Sequence, residues 1–323
     1  MNRKHIPLLT TAAVLVVLFI SAAAMYHGFG SMRVVANLVS DNAVLGVTAV
    51  GMTFVILSGG IDLSVGSIVA FTTVLVATLV GKHGMHPLLA MLIAVMLGAA
   101  FGWGQGVLVD RYDVPAFLVT LGGMFFARGM AFVVTMESVG IKHPFYSAIQ
   151  DLSIPIGPRA WLSSSALIFL VVFAVGVFVA HLTVFGRNVY ALGGNAESAR
   201  LMGLPVARIR PAVYAVSGFC SALAGVVATI YTGSGNPAAS SGLELDAIAA
   251  VVIGGTLLTG GVGYVVGTLL GVLIFGTIQS ALAFDGRLNS WWLRIAVGTL
   301  LLAFILLQRF LTRSAGKRAS ATA

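Results

Sequence analysis

A chain of 323 residues that is 59% hydrophobic and only 9% charged, with a mean hydropathy of +1.03, has far more apolar surface than a single soluble core can bury, which excludes an ordinary water-soluble domain. The formal net charge of +8 does not by itself mean nucleic acid, because in a membrane protein basic residues gather first at cytoplasmic loops. The lone cysteine, Cys220, lies inside an apolar run and excludes an internal disulfide.

Apolar runs near bilayer length recur at about 7–25, 34–57, 64–81, 87–109, 114–135, 165–183, 210–232, 243–258, 264–284 and 291–311. They are too long for membrane strands, so the expected fold is all-α, a polytopic bundle of about ten transmembrane helices. The first run follows Arg3 and Lys4 but leads to no small-residue cleavage site before a polar domain, so it reads as a spanning helix and not as a signal peptide. Ten crossings put both termini on one side. If that side is the cytoplasm, Arg3, Lys4, Arg111, Arg187, Arg200, Arg208, Arg210, Arg309, Arg313, Lys317 and Arg318 all fall inside, most of the 18 lysines and arginines. The whole of 1–323 then reads as one membrane-spanning domain, with a large cytoplasmic loop at about 185–209. A short disordered tail at about 313–323 brings its basic residues to anionic lipid.

The first polar interruption is "GGIDLSVGS" at 59–67, where Gly59 and Gly60 break a long apolar stretch. Asp62 is the one acidic residue deep in that stretch. It suits an N-cap for a helix beginning near Leu63, with Ser64 and Ser67 satisfying freed backbone; a hydrogen-bond acceptor for a hydroxylated cargo, or a pathway gate, is the other reading. Trp103 with Gln105 offers an aromatic face and an amide, although an interfacial tryptophan explains Trp103 as well. Arg128 suits an anchor onto backbone carbonyls.

The 185–209 loop contains "GGNAESARLMGLPVAR". Asn195 suits an N-cap, Glu197 the first turn, Arg200 the last, Gly203 the C′ position and Pro205 the stop. So short a helix is marginal in water unless it is seated on something. Its seat is either its own membrane domain or a groove on a cytoplasmic partner, to which it would present Ala196, Ala199 and Met202.

Further on, Glu244 and Asp246 suit the first turn of a helix after the polar loop "GSGNPAASSG". Then "GGVGYVVGT" at 260–268 repeats the first break: Gly260 and Gly261 match Gly59 and Gly60, and Gly267 matches Gly66. Paired glycine-rich interruptions point to a transport path. The expected topology puts both on the cytoplasmic side, whereas five-helix inverted repeats would put them on opposite sides.

"ESARLMG" fits the E-x-A-x-x-x-G core of the cytoplasmic loop of bacterial ABC importer permeases. With "VGMTFVILSGGIDLSVGS", "VPAFLVTLGGMFFARGMA" and "ELDAIAAVVIGGTLLTGGVGYVVGTLLG", the chain resembles the ribose/monosaccharide-type ABC transporter permeases over most of its length. "SWWLRIAVGTLLL" at 290–302 makes the galactofuranose-type inner-membrane permeases the nearest resemblance, while the I-x-L-P element of some importer loops is missing after Gly203. The resemblance implies a multi-pass protein of the bacterial inner membrane that moves a monosaccharide. It implies as partners a cytoplasmic ABC ATPase, a periplasmic sugar-binding protein and a second permease copy or homologous permease. Asn195 to Gly203 would then couple to the ATPase. No G-x-x-x-x-G-K-[ST] loop is present, so ATP hydrolysis is expected on another chain, and neither cofactor nor metal is expected on this one. The competing reading is an ion-coupled secondary sugar carrier using Asp62. An intramembrane enzyme is excluded by the lack of H-E-x-x-H and G-x-S-x-G patterns.

Overall fold

A computed structural model describes residues 6–157, 159–287 and 291–319. In chain order the helices are α1 (Ile6–Met25), α2 (Met32–Asp41), α3 (Ala43–Leu57), α4 (Val65–Gly81), α5 (Pro87–Arg111), α6 (Ala116–Val134), α7 (Pro144–Asp151), α8 (Ser164–Leu182), α9 (Val184–Gly194), α10 (Ala196–Leu201), α11 (Val206–Thr232), α12 (Leu243–Ile253), α13 (Val265–Asp285) and α14 (Trp291–Ala319). Four short strands form two antiparallel pairs: β1 (Val139–Gly140) with β4 (Ser234–Gly235), and β2 (Ser153–Gly157) with β3 (Ala160–Ser163).

The all-α expectation holds, but the count of spans differs from ten. Among the described residues, six helices are long and apolar enough to cross a membrane, and a seventh is added if α2 and α3, bent by 57°, form one span. The bend falls at Asn42, whose side-chain amide donates to the Leu38 carbonyl. The shortfall lies in α4, in the apolar part of α14 over Trp291–Leu306, and above all in α12. With 11 residues, α12 is only about 17 Å long at the α-helical rise and cannot cross a bilayer alone. Gly254 and Gly255 end it where an unbroken apolar run suggested continuation to 258. At the other end, α14 continues as helix to Ala319, through most of the segment expected to be a disordered tail; residues 320–323 lie outside the described residues.

The core is built around α3, α4 and α11. Glycines let α5 approach α11 backbone to backbone. A Cβ on Gly102 would run into the Tyr214 carbonyl, one on Gly218 into the Gly98 carbonyl, and one on Gly106 would stand 2.6 Å from Pro211 Cα. Small residues one turn apart produce this seam, the usual way membrane helices come close. By contrast α6 leaves Phe117, Phe125, Phe126 and Val133 exposed, as suits a face turned to lipid or to another protein.

Candidate functional site

The two glycine breaks meet. The segment between α3 and α4 and the segment between α12 and α13 lie side by side at the end of the bundle that carries α9. The Gly261 amide donates to the Leu57 carbonyl at 2.9 Å. A Cβ on Gly260 would be 2.7 Å from the Gly59 nitrogen. Gly59 (φ +82°), Gly260 (φ +85°) and Gly261 (φ +73°) all occupy the left-handed region, which is open to glycine at no steric cost. Above the junction, the hydroxyls of Thr53 on α3 and Thr268 on α13 are hydrogen-bonded at 2.7 Å. The breaks therefore share one depth, in keeping with the expected placement on a common side.

Asp62 is fully buried. One carboxylate oxygen accepts from the Ser64 amide at 2.9 Å and the Ser64 hydroxyl at 2.6 Å, and the other accepts from the Ser217 hydroxyl of α11 at 2.7 Å. The helix begins at Val65, two residues later than expected, and its N-cap position falls to Ser64 and not to Asp62, which closes an Asx-type turn onto Ser64 just before the helix. Ser64 also reaches the Gln105 carbonyl oxygen at 3.2 Å, joining α5 to the cluster. The Gln105 amide nitrogen is buried against Gly123 of α6 and has no hydrogen-bond partner among the described residues.

The pairing of Trp103 with Gln105 does not form. Two positions apart on a helix, they point in different directions: Trp103 is 56% exposed while Gln105 is buried. Gln105 instead borders a groove of about 1000 Å³ between α5 and α6, walled by Phe101, Tyr112, Leu118, Gly123 and Phe126. Glu244 and Asp246 do lie in the first turn of α12. Glu244 sits beside the start of α4, where a Cβ on Gly66 would meet its carboxylate, and it is separate from the Asp62 cluster. Arg128 anchors the preceding loop by donating to the Pro237 and Ala239 carbonyls at 2.8 and 2.7 Å.

The 195–203 helix forms with its predicted caps. The Asn195 side chain accepts from the Ser198 amide at 2.7 Å. At the far end Gly203 (φ +83°) donates to the Arg200 carbonyl, and Leu204 donates to the Ala199 carbonyl, the two bonds of a Schellman motif. Its outer face differs from the expected one. Ala199 is fully buried and Ala196 packs against the core, so these two seat the helix on its own domain. Glu197 and Arg200 face outward, and the exposed apolar groups are Met202, at 72%, and Leu201, at 84%. Leu201 had been overlooked. The signal was there in a large apolar residue beside Met202 on a helix otherwise built of alanine and charge.

The helix before it, α9, is tied to the second break. The Tyr190 hydroxyl donates to the Gly263 carbonyl at 2.8 Å. Burial, with Tyr264 nearby, raises the Tyr190 pKa, so the phenol stays a proton donor across the physiological range.

Comparison with known proteins agrees with this architecture. The family described as branched-chain amino acid transport system / permease component matches residues 34–305. The chain is 50% identical over 312 residues to the inner membrane ABC transporter permease protein YjfF of Escherichia coli (strain K12), covering 97% of this chain and 94% of that one. It is 38% identical over 323 residues to the fructose import permease protein FruG of Bifidobacterium longum (strain NCC 2705), covering 96% and 92%. It is also 38% identical over 293 residues to the ribose import permease protein RbsC of Escherichia coli (strain K12), covering 90% of each. No solved structure matches the chain.

Proposed function

Because the chain belongs to the branched-chain amino acid transport system / permease component family, and within it to the ribose/monosaccharide-type ABC permeases, we propose that it is the membrane subunit of an ATP-driven monosaccharide importer, with α10 as the helix that receives the ATPase. It is a multi-pass protein of the inner membrane. The observation that carries the role of α10 is its two-sided construction: Ala199 seats it on the permease while Glu197, Arg200, Leu201 and Met202 face outward. A six-residue helix held by a cap at each end and by one buried alanine can transmit a push, which a free loop cannot.

On this reading ATP is hydrolysed on a separate cytoplasmic ATPase, a periplasmic binding protein delivers the sugar, and two permeases, alike or homologous, form the path. Both termini lie in the cytoplasm, which takes ten passes with α12 and its glycine break counted as one. The cargo is a monosaccharide, galactofuranose or a ribose/galactose-type sugar, the former on the likeness of residues 290–302 to galactofuranose-type permeases. The ion-coupled carrier is disfavoured because both Asp62 oxygens are taken up by Ser64 and Ser217, leaving that carboxyl group a structural tie between the turn and α11.

The test is a mild-detergent pull-down from native membranes with mass spectrometry of what stays bound. It compares the wild type with a correctly inserted variant whose residues 195–203 are replaced by Gly/Ser. An ABC ATPase recovered with the wild type and lost with the variant is the expected result; an ATPase held equally by both would remove α10 from the docking role.

A further inference from the structure

α9 runs Tyr190-Ala191-Leu192-Gly193-Gly194, and the next residue, Asn195, is the cap of α10. Gly193 lies in the fork between the two glycine breaks. A Cβ there would run into the Leu57 carbonyl oxygen and stand 2.6 Å from the Gly261 nitrogen. From the other side, a Cβ on Gly260 would be 3.0 Å from Gly193 Cα, and one on Gly261 would be 2.8 Å from the Gly194 nitrogen. Three segments far apart in sequence therefore touch through bare backbone. Two hydrogen bonds fasten the same joint, from the Gly261 amide to the Leu57 carbonyl and from the Tyr190 hydroxyl to the Gly263 carbonyl.

We propose that Gly193 is a positioning residue: it delivers the displacement of α10 to both glycine breaks at once, so that the path segments move as a pair. This rests on the reading of α10 as the ATPase-docking helix. A contact made of side chains absorbs a small shift by changing rotamers, whereas backbone against backbone has no such slack. The hydrogen bonds prevent the pieces from separating when the push reverses. One residue later, the Gly194 backbone also borders Gly261, but nothing lies within 4 Å of its own Cβ position, so an alanine there adds volume without entering the joint.

That asymmetry supplies the matched control. The permease with its co-purified ATPase is spin-labelled in two pairs, Arg187→Cys with Met136→Cys, and Val262→Cys with Met136→Cys. Met136 is an exposed position at the opposite end of the bundle. Distances are measured without nucleotide and with ATP trapped by vanadate, in backgrounds carrying Gly193→Ala, Gly194→Ala or neither. In the unsubstituted and Gly194→Ala proteins both distances should change with ATP. In Gly193→Ala the α9 label should still respond, while the change at Val262 falls below about 1 Å, under the scale of a helix shift. Equal movement at Val262 in both variants would overturn the proposal and leave α10 docking intact. No ATPase recovered with the unsubstituted protein, or no nucleotide response in it, would overturn the functional reading itself. If Gly193→Ala fails to insert, two further measurements decide. Tyr190→Phe, which adds no volume, should weaken the response at Val262. The Arg187–Val262 distance should hold within about 2 Å through the cycle, and a change of about 5 Å or more, a one-turn slip, would sink the joint.

Discussion

The two glycine breaks look alike in sequence but are held by different means. The first is fastened by side chains: Asp62 ties its own turn to Ser64 and reaches across to Ser217 on α11, and Ser64 continues to Gln105 on α5. Where the first break has Asp62, the second has Gly263, and its turn is closed by backbone bonds such as that from the Leu257 amide to the Val262 carbonyl. Leu258 and Val262 are partly exposed at its tip. A buried hydrogen-bond network is expensive to disrupt, while a glycine turn rearranges its dihedrals cheaply. The first break is therefore the stiffer turn and the second the more deformable, while the joint at Gly193 carries the two together.

Substitutions can break that contrast in order of size. Asp62→Ala should be the most damaging, because it orphans the Ser64 amide and the buried Ser217 hydroxyl at about 1–3 kcal/mol each, while the Ser64 hydroxyl keeps Gln105; thermal unfolding in detergent should show a large drop in Tm. Asp62→Asn, which keeps an acceptor, should recover part of that loss. If Asp62→Asn instead destroys uptake without lowering Tm, the carboxylate serves in transport as well as in structure. Next, Gly260→Ala should exceed Gly59→Ala. Both place a side chain at positive φ, a cost of about 1–2 kcal/mol, but only the former also crowds the backbone, with Gly59 2.7 Å away; at Gly59 the nearest heavy atom is the Thr259 carbonyl oxygen at 3.6 Å. Equal losses of Tm would mean that the two breaks are not in contact in the working protein. Asn195→Ala should cost about 1 kcal/mol, confined to α10, and appear as faster amide exchange over residues 198–203 with little change in Tm.

Much of this was legible in the residues. Asn195 and Gly203 announced a capped helix because capping is local chemistry, settled within a few residues. Asp62 was expected as an N-cap, but Ser64 takes that position and Asp62 holds the turn before it. What failed depended on the third dimension. Apolar content alone could not show that the run from 243 stops at Gly254, because the reason for that glycine is elsewhere: a Cβ there would run into the Gly267 carbonyl of α13. Ala199 looked like a docking residue until the fold turned it inward. The meeting of Gly193 with Leu57 and Gly261 joins positions that no periodicity relates.

The seam between α5 and α11 has a consequence of its own. Where helices meet through Gly98, Gly102, Gly106 and Gly218, little apolar side-chain area is removed from any solvent, so their cohesion rests on dispersion and Cα–H···O contacts. Hydrophobic association weakens on cooling, and this kind of contact does not share that weakness. The pair should behave as a thermally indifferent keel, holding its alignment in the cold while the temperature sensitivity of transport falls on the parts that move against it.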